Sequence, residues 1–213
     1  MDIVLIAIIA ITVLVSIKGF SDILFFRKYE FHVGSIRAGE QYRMFSSAFL
    51  HADAMHLAFN MLTLYFFAPI VIEYLGDLSF ILIYVGSLVF GSLLTLLLHK
   101  DDYGYRAIGA SGAVTGALYS AILLQPNMSI YMFFIPIGIP AYIFGIVYLL
   151  YSIYGMRAKN DNIGHTAHFG GAIGGYAITL MYHPSLFVDD TLTVILLAIP
   201  IVLLFILERT GKL

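Results

Sequence analysis

Gly109-Ala110-Ser111-Gly112 heads a stretch, residues 107–156, that contains not one Asp, Glu, Lys or Arg. About 20 apolar residues cross the hydrocarbon core of a bilayer as a helix. The run is therefore long enough for two passes, and Ser111 stands at the mouth of the first. The rest of the chain agrees: 61% of its 213 residues are hydrophobic, 11% are charged, and the mean hydropathy is +0.93. That is too apolar for a soluble domain. The expected class is an all-α polytopic membrane protein, one integral domain with almost no soluble part and the lipid bilayer as its surroundings. A net charge of −2 offers no basic face for nucleic acid, and none is expected as a partner. Zero cysteines exclude a disulfide framework and thiolate chemistry.

Seven apolar spans can be read: 3–20, 54–72, 78–98, 109–124, 129–154, 164–182 and 191–207. The last is short and carries Pro200, so six spans is the alternative. The first lacks a basic flank (Asp2 precedes it) and a small-x-small cleavage site, and is expected to stay as a helix rather than leave as a signal peptide. Most connections are tight. The exception is 21–53, which mixes aromatics (Phe25, Phe26, Tyr29, Phe31, Tyr42, Phe45) with charges (Arg27, Lys28, Glu30, Arg37, Glu40, Arg43). Such a mixture suits structure lying in the membrane interface.

Polar side chains inside spans are expensive and often functional. A serine needs a base beside it to act as a nucleophile, and His168 in Ala167-His168-Phe169-Gly170-Gly171 heads another span. Gly112 and Gly116 repeat at four residues on the serine span, and Gly171 and Gly175 do the same below His168. Small residues so placed let helix backbones approach closely. His56 and Asn60 share one face of the second span. With the backbone N–H of Ser111 at the positive end of its helix they would make hydrogen-bond donors for an oxyanion; polar ties between helices explain the same two residues equally well. No carboxylate occurs between Asp102 and Asp161, which favours a Ser-His dyad over a Ser-His-Asp triad. A phenol, a hydroxyl or water would then orient the histidine.

In these residues the chain resembles the rhomboid intramembrane serine proteases. The matching elements are His51-x4-His56-Leu57-x2-Asn60-Met61, Gly109-Ala110-Ser111-Gly112 and Ala167-His168-x2-Gly171-x3-Gly175, in the family's order on the second, fourth and sixth spans. Tyr42-Arg43, with Glu40 before it, is similar to the aromatic-Arg dipeptide of the family's first loop. The resemblance implies a six-helix catalytic core over 1–183, with 21–53 as its interfacial loop, and an additional C-terminal transmembrane helix over 184–213. It implies Ser111 as nucleophile, His168 as general base and then acid, and His56, Asn60 and the Ser111 amide as the oxyanion hole. Gly109, Gly112, Gly171 and Gly175 would support the site, Arg43 and Glu40 would brace the loop, and His51 would serve loop structure. Two positions depart from the family pattern: Thr115 stands where an aromatic usually packs against the catalytic histidine, and Tyr42 where tryptophan is usual.

The implied activity is peptide-bond hydrolysis through an acyl-enzyme, acting on transmembrane protein substrates, with no cofactor and no metal. Substrates would unwind locally and arrive laterally past the fifth span, loosened by Pro136 and Pro140, with 154–164 as a lid. Two other readings are an inactive rhomboid-like protein that binds membrane clients, and a metal site built from His51, His56, His165 and His168. The second lacks both a His-Glu-x-x-His pattern and a deep carboxylate. The expected location is the cell membrane of a bacterium or archaeon. All eleven Lys and Arg fall on the side that holds Ser111 and His168. The positive-inside rule makes that side cytoplasmic, whereas the resemblance implies an outward-opening site.

Overall fold

The computed structural model describes residues 2–132, 135–158 and 163–212. Helix α1 (Ile3–Ser21) starts where the Asp2 carboxylate accepts from the N–H of Val4 and Leu5, satisfying donors that a helix leaves unpaired in its first turn. A cap of short pieces follows: α2 (Ile23–Tyr29), strand β1 (Phe31–His32), α3 (Val33–Arg37), α4 (Arg43–Ser46) and a 3₁₀ turn at Ser47–Phe49. Ile23, Leu24, Tyr42 and Phe45 of this cap are exposed, while Phe31, Val33 and Ile36 are buried.

Helix α5 (Ala54–Leu98) runs 45 residues but breaks at Gly76, whose φ of +80° lies in the region that favours glycine. It therefore supplies two passes, the expected second and third spans. Strand β2 (Arg106–Ala107) then pairs antiparallel with β1, Phe31 opposite Ala107 and His32 opposite Arg106, tying the cap to the chain that leads into the serine.

Helix α6 (Ser111–Leu124) is the centre of the molecule: every residue after Ser111 is buried. An apolar helix covered on all sides belongs inside a helical assembly. Its 14 residues reach only about 21 Å at 1.5 Å per residue, against about 30 Å of hydrocarbon. The serine end is thus set below the membrane surface when the other end reaches the far side.

The fifth span differs from its expectation. Two antiparallel strands stand there, β3 (Ser129–Met132) paired with β4 (Ile135–Pro140), and helix α7 begins only at Ala141 and ends at Ala158. Pro136 lies in β4 and Pro140 at its end, immediately before α7, where a ring without an N–H suits a helix start. The prolines precede this span and do not loosen it. The expected 154–164 lid is helical as far as Ala158, and 159–162 lie outside the described residues.

Helix α8 (His165–Tyr182) packs between α6 and the second half of α5. After a single turn of helix, α9 (Leu186–Asp189), α10 (Thr191–Arg209) lies against α7, burying Leu197, Pro200 and Leu204. The lipid-facing sides of α1, α5, α7 and α10 carry exposed Leu14, Phe66, Leu93, Val147 and Val202. The molecule is an all-α polytopic membrane protein.

Candidate active site

Parallel packing of α6 and α8 sets the site. A Cβ added to Gly171 would stand 1.9 Å from the carbonyl oxygen of Gly112, and one on Gly175 2.1 Å from that of Gly116. One turn further, the Thr179 hydroxyl donates to Ser120 Oγ at 2.7 Å. These three pairs share one register, with 59 residues between partners. Ser111 therefore stands level with Gly170, and His168 two residues, about half a turn, from that level. The carbonyl of Ala167 lies 3.2 Å from where a Gly112 Cβ would be. The other face of α8 uses glycines too: Gly170 and Gly174 meet the backbones of Phe90, Gly91 and Ser87 on α5. That second stripe is visible in the sequence as the doublets Gly170-Gly171 and Gly174-Gly175, of which Gly171 and Gly175 alone carry the expected contact with the serine helix.

Gly109 has φ +117°, a conformation open to glycine. A side chain there would strike the His56 ring, with Cε1 at 2.8 Å and Nε2 at 2.9 Å, and would sit 3.8 Å from Ser111 Oγ. The ring of His56 and the hydroxyl of Ser111 thus converge on the space that Gly109 leaves open. The Ala52 N–H approaches His56 Nδ1 at 3.5 Å, an arrangement that leaves a neutral ring its proton on Nε2, facing that space. Asn60, buried one turn further along α5, donates one of its two side-chain N–H groups to the His56 carbonyl at 2.9 Å. An amide nitrogen carries two such groups, and the second has no partner among the described residues.

The loop before the serine is held from outside. The Gly109 N–H donates to the Ser47 carbonyl at 3.0 Å, and the Ala110 N–H to His51 Nε2 at 3.3 Å. With Nε2 accepting, His51 Nδ1–H donates to Ser16 Oγ at 2.9 Å, and that hydroxyl donates to the Phe49 carbonyl, also at 2.9 Å. Fully buried and next to the His56 imidazole, His51 has its pKa pushed down to about 3. Burial is the larger cause.

Arg43 is buried, pairs with Glu40 and donates to the carbonyls of Arg27 and Glu30. That pairing lowers the Glu40 pKa. Glu30, which no motif marks, is only 2% exposed and bridges Arg27 and Arg106. It joins the cap to the segment that leads into the serine loop. Its one signal in the sequence was a carboxylate between aromatics close to several arginines.

Thr115 lies one turn below Ser111, its hydroxyl 3.2 Å from the Tyr148 hydroxyl of α7. Tyr148 in turn is 2.9 Å from His168 Nδ1 and stacks on that ring, centroids 5.9 Å apart and planes 20° apart. The aromatic absent at 115 is therefore supplied by another helix. A cavity of about 40 Å³ beside Ser111 has Ser47, Ser92, Thr95 and Ala167 in its lining. A water needs roughly 10–15 Å³, so water fits there. Among the described residues no group of three or more His, Cys, Asp or Glu is placed to hold a metal ion.

A family model described as Rhomboid domain matches residues 38–185. The mitochondrial RHOMBOID-like protein 12 of Arabidopsis thaliana is 29% identical over 171 residues, 73% of this chain and 50% of that protein. The putative rhomboid protease YdcA of Bacillus subtilis is 31% identical over 145 residues, covering 67% of this chain and 68% of that protein. The rhomboid protease GluP of the same bacterium is 33% identical over 141 residues, 66% of this chain but 26% of that protein. The chain spans about half the length of the Arabidopsis relative and about a quarter of GluP.

Proposed function

The chain belongs to the rhomboid family, and from that premise we propose that it is an intramembrane serine endopeptidase that cuts transmembrane protein substrates with a Ser111–His168 dyad. The observation that carries this reading is the backbone interlock of Gly112 with Gly171 and Gly116 with Gly175, which puts the heads of α6 and α8 side by side. Ser111 Oγ attacks the scissile carbonyl while His168 Nε2 takes its proton. The resulting oxyanion meets the Ser111 N–H at the positive end of α6, the Nε2–H of His56 and the second amide N–H of Asn60. His168 returns its proton to the leaving amine, and a water, for which the cavity beside Ser111 has room, hydrolyses the acyl-enzyme. A helical substrate hides its peptide bonds, so cleavage is favoured near small or helix-breaking residues. Residues 1–183 would form the catalytic core, 184–213 an accessory helix, and the cell membrane of a bacterium or archaeon the location. The relatives include both bacterial and mitochondrial proteins.

Ser111→Ala is expected to lower turnover of a model transmembrane substrate by about 10⁴-fold or more, and to end labelling by a fluorophosphonate, with the melting temperature kept. Unchanged cleavage would remove the serine from the reaction. The competing reading is an inactive client-binding relative, and the feature that favours it is Thr115 in place of the usual aromatic. Tyr148, stacked on His168, supplies an aromatic at that ring and supports the active reading; labelling of the wild type at Ser111 separates the two.

A further inference from the structure

Tyr148 does more than fill space beside His168, and the roles it takes rest on the dyad reading above. For His168 to receive a proton on Nε2, its Nδ1 must carry the ring hydrogen and have an acceptor. The Tyr148 hydroxyl lies 2.9 Å from Nδ1, and a phenol is both donor and acceptor. If it donated to Nδ1, the ring hydrogen would move to Nε2 and the base would be disabled. Thr115 Oγ1, 3.2 Å from the same phenol oxygen, offers the Tyr148 proton another acceptor. The chain then runs one way: His168 Nδ1–H to Tyr148 Oη, and Tyr148 O–H to Thr115 Oγ1. Such chains strengthen each member by polarisation. The ring stack fixes the imidazole plane, and Phe144, one turn earlier on α7, lies nearly parallel to Tyr148 with centroids 6.0 Å apart and planes 17° apart.

We propose that Tyr148 is the positioning residue of His168, holding the tautomer and plane of its imidazole from α7, with Thr115 of the serine helix as the second link. The polar chain begins on the histidine helix and ends one turn below the nucleophile, so three helices share the alignment of the base. No carboxylate takes part.

The test compares kcat and KM on a transmembrane substrate in proteoliposomes for the wild type, Ser111→Ala, Tyr148→Phe, Tyr148→Ala, Thr115→Val and Thr115→Ser. Tyr148→Phe keeps the stack and deletes the hydroxyl. It is expected to lower kcat about 10- to 100-fold, the size of one hydrogen bond to a group charged in the transition state, with KM within about 2-fold. Tyr148→Ala falls further. Thr115→Val, nearly isosteric, lowers kcat about 3- to 10-fold, and Thr115→Ser restores it by returning the hydroxyl. A structural role alone would shift melting temperature and leave this split in kcat absent. Wild-type kcat in Tyr148→Phe, alongside an inactive Ser111→Ala, overturns the proposal. Should Tyr148→Phe melt early, wild-type kcat in Thr115→Val overturns it equally. Wild-type turnover in Ser111→Ala would instead defeat the dyad reading from which it starts.

Discussion

Protonation of His51 would break a contact on which the serine loop depends. Its Nε2 accepts the Ala110 N–H, and an imidazolium has no lone pair to accept with. Burial and the neighbouring His56 depress the folded pKa to about 3, against about 6.5 in an open chain. The folded state therefore binds fewer protons than the unfolded one. The stability that His51 contributes is complete above pH 6.5 and is lost as the pH falls toward 3. Between pH 7 and pH 5 the loss is about 2 kcal/mol, a window in which most carboxylates stay ionised. Melting curves of the wild type are expected to decline across it, and those of His51→Gln to be lower at pH 7 but flatter; parallel curves would contradict a His51 held neutral by burial. Individual residues were unequally legible. His56, Asn60, Ser111 and His168 stood out because a polar group in an apolar span is costly. Tyr148 did not, being one of 15 tyrosines with no charge or spacing to mark it. Its partner sits on a different helix, and that pairing exists only after folding.

Among the elements, α6 and α8 are joined through backbone rather than side chains. A methyl at Gly171 would stand 1.9 Å from a carbonyl oxygen, and no rotamer relieves a clash with backbone. Gly171→Ala is expected to cost about 1–3 kcal/mol or more, a fall of roughly 3–10 °C in melting temperature, and to abolish cleavage by separating the heads of the two helices. Gly104→Ala, whose added Cβ has Asp102 Oδ1 at an ordinary 3.6 Å, serves as the control and should change neither. Wild-type behaviour of Gly171→Ala would mean that the helices are not in contact there. The helices were legible because hydropathy and length are read directly from sequence. The paired strands at 129–132 and 135–140 were not, because a short apolar run fits strand and buried helix alike. Pro136 and Pro140 were the available clue, and as helix breakers they marked an end and not a weakness within a span.

At the scale of the whole molecule, charge is segregated. The C-terminal ends of α1, α7 and α10 and of the second half of α5 point to one side, and every Lys and Arg among the described residues lies there with Ser111 and His168. Charge bias alone predicts that a reporter fused after Leu213 is active in the cytoplasm. Activity on the opposite side would show that the cap's charges, held in ion pairs such as Arg106 with Glu30, do not govern insertion. Helix α10 braces the outside of α7, and the Tyr176 hydroxyl of α8 donates to the Val194 carbonyl at 2.9 Å. Removing 184–213 is therefore expected to lower the melting temperature. The short central helix has one more consequence. Lipid does not reach α6, because every residue after Ser111 is buried, and of the helices that face lipid, α1, α7 and α10 run 19, 18 and 19 residues. The roughly 9 Å by which α6 falls short of an average hydrocarbon slab is therefore a depression inside a ring of longer helices and not a dent in the bilayer. Solvent can fill it from the charged side without any lipid giving way, so turnover in the proposed hydrolysis is expected to differ little between proteoliposomes of short and long acyl chains.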